Sequence, residues 1–145
     1  MRSRRSERKL EESPAPAIEW APMRELFGDE EPVPAEAARF ENACAAMLLK
    51  HAHYLHDVEG RRMPLHYARD KDGREVDFVL CEDGAPAALV ECKLADAALA
   101  PLLPALALRF PQAAAVQIVR DLRQPEQREK VAIEPAARWL AALAA

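Results

Sequence analysis

Three ionisable residues lie inside segments that are otherwise apolar. Asp77 belongs to the run Val76–Leu80, and Glu91 and Lys93 belong to the run Leu89–Leu94. Both runs are apolar enough to form central strands that are covered on both faces. A buried, isolated charge costs several kcal/mol even after the protein relaxes around it. The chain must therefore pair these groups, neutralise them by shifts in pKa, or place them on a metal ion.

The spacing of these residues predicts that their side chains meet. Glu91 and Lys93 are two positions apart, so in a strand they share one face and Cys92 points to the other. The separation of Asp77 and Glu91 suits a hairpin that brings both carboxylates side by side on adjacent strands. Carboxylates this close repel each other unless a divalent cation lies between them. A metal site is one interpretation, and a purely structural cluster of buried ion pairs is the other.

The surrounding pattern predicts the elements that position the three residues. Apolar residues at helical spacing indicate a first helix from Glu36 to Leu55. Three strands then alternate with turns at Asp72-Gly73 and Asp83-Gly84: 63–69, 75–82 and 86–94. A crossover helix, a parallel strand, an edge strand and a last helix follow: 101–110, 113–119, 130–133 and 135–143. The predicted order is α-β-β-β-α-β-(β)-α, an α/β (α+β) fold whose mixed sheet of four to five strands is flanked by helices.

The first part of the chain differs in composition from the rest. Residues 1–38 contain five of the 12 prolines together with many charges of both signs. We interpret this part as a proline-rich, charged arm or linker, and residues 39–145 as the folded domain. Within the arm, the helical spacing of Trp20, Met23, Leu26 and Phe27 predicts one short helix.

Composition excludes several classes of protein. The net charge of −4 does not indicate a basic surface, so any contact with DNA must be local. The three cysteines form no Cys-x-x-Cys pair, which favours reduced thiols over a disulfide framework. No uncharged stretch approaches the ~20 apolar residues that span a bilayer, and no secretory signal precedes the domain. We therefore expect a cytoplasmic protein with no membrane partner.

Longer motifs around these residues resemble a known family. The stretch Tyr67 to Phe78 contains Arg-Asp-x-x-Gly-x-Glu-Val-Asp, and Val90-Glu91-Cys92-Lys93 contains Glu-x-Lys. Together they resemble the PD-(D/E)XK nuclease superfamily, which has the restriction-endonuclease-like fold. With Arg39-Phe40-Glu41-Asn42 added, residues 39–143 are similar to the domain of unknown function at the C-terminus of many archaeal and bacterial AAA+-type ATPases. The resemblance implies that residues 39–145 form a nuclease-like domain.

The resemblance also implies a role for each matching residue. Asp77, Glu91 and Glu41 would bind Mg²⁺ or Mn²⁺, and Lys93 would orient or activate the attacking water and stabilise charge on the phosphate. Asp77, Glu91 and Lys93 would thus be catalytic. Glu41 matches an additional helical Glu of many such sites, although a role at the helix surface stays open. Gln117 matches an accessory Gln of some members, and the alternative is a core amide with its hydrogen bonds satisfied.

Basic residues near the predicted hairpin are candidate phosphate contacts: Arg61, Arg62, Arg69, Lys71 and Arg74. A solvated hairpin face is the alternative interpretation. The chain has no Gly-x-x-x-x-Gly-Lys-[Ser/Thr] motif, so we expect no nucleotide cofactor and no ATPase activity of its own.

Two functions fit these features. The first is a metal-dependent endo- or exodeoxyribonuclease that hydrolyses DNA phosphodiesters, in a stand-alone or truncated relative of the ATPase-associated domain. The second is a catalytically silent module with a nuclease fold that docks on a separate ATPase or on nucleic acid. The expected partners are DNA, a separate ATPase or a second copy of the chain.

Overall fold

A computed structural model describes residues 19–22, 35–95 and 98–143. It contains three helices: α1 (Ala35–Glu59), α2 (Leu102–Arg109) and α3 (Ala136–Leu143). It also contains seven strands: β1 (Glu19–Pro22), β2 (Leu65–Arg69), β3 (Glu75–Glu82), β4 (Ala85–Lys93), β5 (Ala114–Val119), β6 (Glu126–Arg128) and β7 (Val131–Pro135). The predicted fold class is confirmed. None of the described helices has the length and apolar composition needed to cross a membrane.

The strands form one mixed sheet in the order β1-β2-β3-β4-β5-β7-β6. The antiparallel meander β2-β3-β4 and the parallel pair β4-β5, which α2 connects, agree with the sequence prediction. The sheet has seven strands, two more than the predicted maximum of five. β6 is a short edge strand beside β7, and β1 pairs with β2 inside the segment interpreted as an arm. Trp20 therefore lies in a strand and not in the predicted helix, whose other residues, 23–27, lie outside the described residues.

The helices cover both faces of the sheet. α1 and α3 pack on one face, where Cys44, Leu48 and Leu55 join the inward residues of the strands. α2 packs on the other face, where Leu103 and Leu106 are buried against β3, β4 and β5. The central strands are thus buried on both sides, as their continuous apolar runs predict.

Local signals explain where α1 ends. Gly60 has φ +66°, a backbone conformation that residues with a side chain rarely adopt. This conformation lets the Gly60 N–H donate to the carbonyl of His56 and the Arg61 N–H to the carbonyl of Leu55. These bonds satisfy carbonyls that the helix leaves without a partner. α1 extends four residues beyond the predicted limit at Leu55 because the stop signal is Gly60.

Two irregularities meet where β3 approaches β4. In the β2–β3 ladder, His66 faces Val79 and Ala68 faces Val76, so Tyr67 alone opposes both Asp77 and Phe78. Such a β-bulge re-aims side chains and bends the strand. The β3–β4 ladder begins only at Phe78 and Val90, so Asp77 has no backbone partner in β4. The two strands therefore separate at the position where the sequence places its carboxylates.

Candidate functional site

Asp77 and Glu91 fill the opening between β3 and β4 by exchanging hydrogen bonds. The Cys92 N–H donates to Asp77 Oδ2 at 2.9 Å, and the Asp77 N–H donates to Glu91 Oε2 at 3.1 Å. Each carboxylate thus satisfies a backbone donor of the opposite strand that the ladder leaves unpaired. Each of the two carboxyl groups also shifts the pKa of the other. The predicted side-by-side placement of the two side chains is what the structure shows.

Lys93 supplies the positive charge closest to this pair. Its Nζ lies 3.1 Å from Glu91 Oε1. The lysine side chain is 34% exposed whereas that of Glu91 is 8% exposed, so the ammonium lies on the open side of the pair. Lys93 can therefore contact a molecule that approaches from solvent while it stays bonded to Glu91.

Glu41 joins the site from α1. Its carboxyl is half-buried, and burial followed by the charge of Asp77 raises its pKa to about 7, while Lys93 acts in the opposite direction. Glu75 is also near enough to raise the pKa of Glu41. The structure thus brings the predicted residues Glu41, Asp77, Glu91 and Lys93 together, and it adds Glu75, which the sequence reasoning missed. Alternation offered a signal for Glu75, because it lies two residues before Asp77 in the same strand.

The electrostatics of the cluster are dominated by carboxylates. Burial, followed by the neighbouring Asp77, raises the pKa of Glu91 to about 8. Burial also raises the pKa of Asp77, although the Cys92 N–H and Lys93 oppose it. One ammonium therefore faces at least three acidic groups. Such a site takes up protons or a cation, since several buried carboxylates cannot all stay charged beside one lysine.

The donor set suits a hard divalent cation. Mg²⁺ prefers oxygen ligands and is commonly held by one or two carboxylates while it keeps several waters. Asp77 and Glu91 supply two adjacent carboxylates with excess negative charge, and Glu41 supplies a third nearby. Among residues 19–22, 35–95 and 98–143, however, no three His, Cys, Asp or Glu side chains converge as a ready-made metal cage. The chemistry of the residues fits Mg²⁺ or Mn²⁺, with water completing the coordination.

Gln117 lies beside Glu91 in the sheet. The two residues are register partners in the parallel β4–β5 ladder, and Gln117 is completely buried. Its Oε1 accepts a hydrogen bond from the Ala100 N–H at 3.2 Å, and its Nε2 donates to the Ala98 carbonyl at 3.5 Å. The amide thus holds the segment that follows β4, which agrees with the alternative of a satisfied core amide next to the site.

The five candidate phosphate contacts do not form one surface. Arg61 pairs with Glu82 at one end of β3, whereas Arg74 pairs with Asp70 at the other end, roughly 24 Å away for a strand of this length. Arg69 lies at the same end as Arg74 and pairs with Glu75 beside the carboxylate cluster. Lys71 and Arg62 form no ion pair with a described residue. The structure therefore divides the predicted cluster, and only Arg69 lies beside the candidate site. A phosphate contact by any of the five stays a prediction.

A shallow pocket lies elsewhere, on the C-terminal half of α1. Its volume is about 290 Å³, and its lining includes His53, His56, Arg62, Met63 and Leu65. It lies roughly 16 Å along the helix from Glu41. The pocket is thus separate from the carboxylate cluster, which is the better candidate for chemistry.

A comparison with family models identifies the group of related sequences. The model described as a domain of unknown function, DUF4143, matches residues 37–136. The chain belongs to the DUF4143 family. The matched range includes Glu41, Asp77, Glu91, Lys93 and Gln117, so the whole candidate site lies inside the DUF4143 domain. Searches of curated proteins and of solved structures found no match.

Proposed function

We propose that this DUF4143 protein is a metal-dependent nuclease of the PD-(D/E)XK type that hydrolyses DNA phosphodiesters. The observation that carries the proposal is the opening between β3 and β4, where Asp77 and Glu91 each accept a hydrogen bond from a backbone N–H and lie near Glu41 and Lys93. A sheet that needed only stability has no reason to keep several carboxylates of raised pKa at one point of its core.

The chain's own residues have distinct tasks in this proposal. Asp77 and Glu91 hold Mg²⁺ or Mn²⁺ at the opening, with Glu41 completing the acidic site from α1. When bound, the cation supplies Lewis-acid stabilisation of charge on the phosphate. Lys93, held by Glu91 on the open side, orients the attacking water and donates to a phosphate oxygen as negative charge develops there. The hydrogen bonds from β3 and β4 fix both carboxylates before the substrate arrives.

A second candidate is a silent module that keeps the nuclease fold and docks on a separate ATPase or on nucleic acid. The absence of a preformed cage among the described residues favours this candidate. The two functions differ in one measurable property, because only the nuclease requires a divalent cation at Asp77 and Glu91.

The test is a calorimetric titration of Mn²⁺ into the purified protein, with a plasmid-nicking assay run beside it. We expect Mn²⁺ binding by the wild type, loss of binding in Asp77→Ala, and loss of nicking in both Asp77→Ala and Lys93→Ala. Lys130→Ala is the matched control, because it removes an exposed lysine that forms no ion pair with a described residue. A folded wild type that binds no Mn²⁺ would eliminate the nuclease and leave the docking module.

A further inference from the structure

We propose that the pocket on the C-terminal half of α1 binds a phosphate monoester that carries a small apolar group. One side of this pocket is α1, and the other side is the segment 62–65, which leads into β2. Its volume of about 290 Å³ is near the lower end of the range for ligand pockets in proteins. The pocket therefore has the size for a small organic molecule.

Backbone hydrogen bonds fix both sides of the pocket. At the end of α1, the Gly60 N–H donates to the His56 carbonyl at 3.1 Å. On the other side, the Cys81 N–H donates to the Pro64 carbonyl at 3.2 Å, which ties the segment 62–65 to β3. The pocket is thus formed before a ligand arrives, and a preformed site loses little conformational entropy on binding.

Part of the lining offers apolar contacts that are protected from solvent. Ala52, Met63 and Leu65 line the pocket and have exposures of only 7%, 8% and 9%. Leu49, which is partly buried, adds further apolar surface. An apolar group that enters the pocket removes water from this surface, which is favourable in proportion to the area covered. The expected ligand therefore has an apolar body and is not a bare inorganic ion.

The polar part of the lining is complementary to an anion. Among the described residues that line the pocket, none is an Asp or a Glu. The lining residue Arg62 is exposed and forms no ion pair with a described residue, whereas its neighbour Arg61 donates two hydrogen bonds to Glu82, each at 3.0 Å. No carboxylate in the described part of the chain thus competes with a ligand for the Arg62 guanidinium. A guanidinium matches the oxygens of a phosphate or a carboxylate.

His56, which also lines the pocket, favours a phosphate monoester over a carboxylate. His56 Nδ1 lies 3.1 Å from Asp57 Oδ1, and this nitrogen carries the proton because a carboxylate only accepts hydrogen bonds. Nε2 of the neutral ring is then an acceptor that needs a donor from the ligand. A phosphate monoester keeps a P–OH group on part of its molecules near neutral pH, since its second pKa is about 6. It can therefore donate to His56 while it accepts from Arg62, whereas a carboxylate only accepts.

The test is an NMR titration of the full chain, without divalent cations, with phenyl phosphate as the probe. We expect saturable shifts of the amide signals of Ala52, Met63 and Leu65, and none at Asp77 and Glu91. Inorganic phosphate lacks the apolar group and phenol lacks the charge, so each should bind at least about 10-fold more weakly than phenyl phosphate. Equal binding by either compound, or shifts spread over the whole surface, would overturn the proposal.

A pair of matched variants separates the pocket from the general charge of the protein. Arg62→Gln should weaken phenyl phosphate binding at least about 10-fold, because it removes charge-assisted hydrogen bonds. Arg123→Gln is the control, since it removes an exposed arginine outside the lining and should leave the affinity within about twofold. Both arginines are exposed, so we expect both variants to fold. An equal loss in the two variants would contradict the assignment of Arg62.

Other occupants of the pocket would give different results. A second copy of the chain would shift the same amide signals when the protein concentration rises without any probe. A DNA duplex would displace phenyl phosphate. Either result would overturn the assignment to a small phosphate ester. None of these outcomes bears on the proposed nuclease, because the pocket lies roughly 16 Å from Glu41 and the titration contains no metal.

Discussion

Two aspartates of the same hairpin, Asp70 and Asp77, are both shielded from solvent but are in opposite electrostatic situations. The Asp70 carboxylate accepts hydrogen bonds from the N–H groups of Asp72 and Arg74, each at 2.9 Å, and from Arg74 Nε at 2.6 Å. Burial works against this carboxylate, but these donors hold its pKa below the ordinary range. Asp77 has one backbone donor, the Cys92 N–H, and its pKa is raised.

The difference teaches that the donors around a carboxylate, and not burial alone, separate a structural acid from a functional one. Asp70 has all the donors it needs inside its own turn, so it stabilises the hairpin and has little to offer a ligand. Asp77, Glu91 and Glu41 share Lys93 and two backbone N–H groups, so their charge is not balanced by the protein. A divalent cation would supply the missing charge, which is the physical basis of the proposed metal site.

The largest expected effect is on Mn²⁺ affinity, and two matched substitutions in the same hairpin measure it. Asp77→Asn removes a proposed ligand and should weaken Mn²⁺ binding by at least about 100-fold, more than the loss of a residue that only supports a ligand. Asp70→Asn removes the same charge from the same hairpin and should leave the affinity within about twofold. Calorimetric titration of both variants measures the contrast. Equal losses in the two variants would show that Asp77 acts through the fold and not as a ligand.

Thermal unfolding without divalent cations should rank the two variants in the opposite way. Asp70→Asn should lose more thermal stability than Asp77→Asn, although it loses less Mn²⁺ affinity. Asp70→Asn loses charge-assisted hydrogen bonds from Arg74, so its midpoint should fall by several degrees. Asp77→Asn keeps an oxygen that accepts from the Cys92 N–H and removes repulsion from Glu91, so its midpoint at pH 8 should equal or exceed that of the wild type. If Asp77 were instead one half of an essential buried ion pair with Lys93, its loss would cost about 3–5 kcal/mol and the midpoint would drop sharply.

The pH dependence of stability separates the two groups of acids. Glu91 has an ordinary pKa of 4.5 that rises to about 8 in the folded protein, and that of Glu41 rises to about 7. Between its ordinary pKa and its folded pKa, each of these groups binds more protons in the folded state than in the unfolded state. Glu91 therefore lowers the free energy of unfolding by about 1.4 kcal/mol for each unit that the pH rises, and its contribution is lost above its folded pKa. Glu41 acts in the same direction with a smaller effect, because its carboxyl is only half-buried and is screened by solvent. The pKa of Asp70 moves in the opposite direction, so its contribution is present above 3.8 and is lost as the pH falls.

Urea unfolding between pH 3 and 9 in a chelator should consequently show a maximum near the acidic end of the range and a decline towards pH 8. Glu91→Gln removes one titrating group and should flatten the decline. Mn²⁺ should restore stability most at high pH, since it binds the deprotonated carboxylates. A decline that Glu91→Gln leaves unchanged would assign the titration to other groups.

The sequence predicted the parts of the fold and site that depend on local pattern. Alternation and the turns at Gly73 and Gly84 defined the meander, and the polar residues inside its apolar runs identified Asp77, Glu91 and Lys93. It missed β1 and β6, because Glu19–Pro22 is only four residues long and ends in proline, Glu126–Arg128 has no apolar residue, and both become strands only by pairing with a neighbour. Their pairing is a property of the assembled sheet, and no local pattern encodes it.

The bulge at Asp77 was out of reach of the sequence, and alternation alone gave only a weak signal for Glu75. A register shift arises from the fit of one strand to its neighbour, so the two-residue period of β3 alone does not reveal it. Glu75 follows a polar turn and pairs with Arg69, which in sequence is typical of a solvated hairpin face. Only the packing of α1 above β3 shows that Glu75 also faces Glu41.

The smallest expected effect concerns the turn that Asp70 organises. Arg74 is part of the hydrogen-bonded network of this turn, whereas Lys71, three residues earlier, forms no ion pair with a described residue. Lys71→Ala should therefore change the free energy of unfolding by no more than about 0.5 kcal/mol, which is usual for a surface substitution, whereas Arg74→Ala should destabilise the hairpin more.

Binding to a DNA duplex at several salt concentrations then shows whether the turn also contacts phosphates. If Lys71 makes such a contact, its loss should reduce the salt dependence of binding by about one charge, with no change in stability. An unchanged salt dependence would place the turn outside the DNA interface and leave Arg69, beside the carboxylates, as the basic residue to test next.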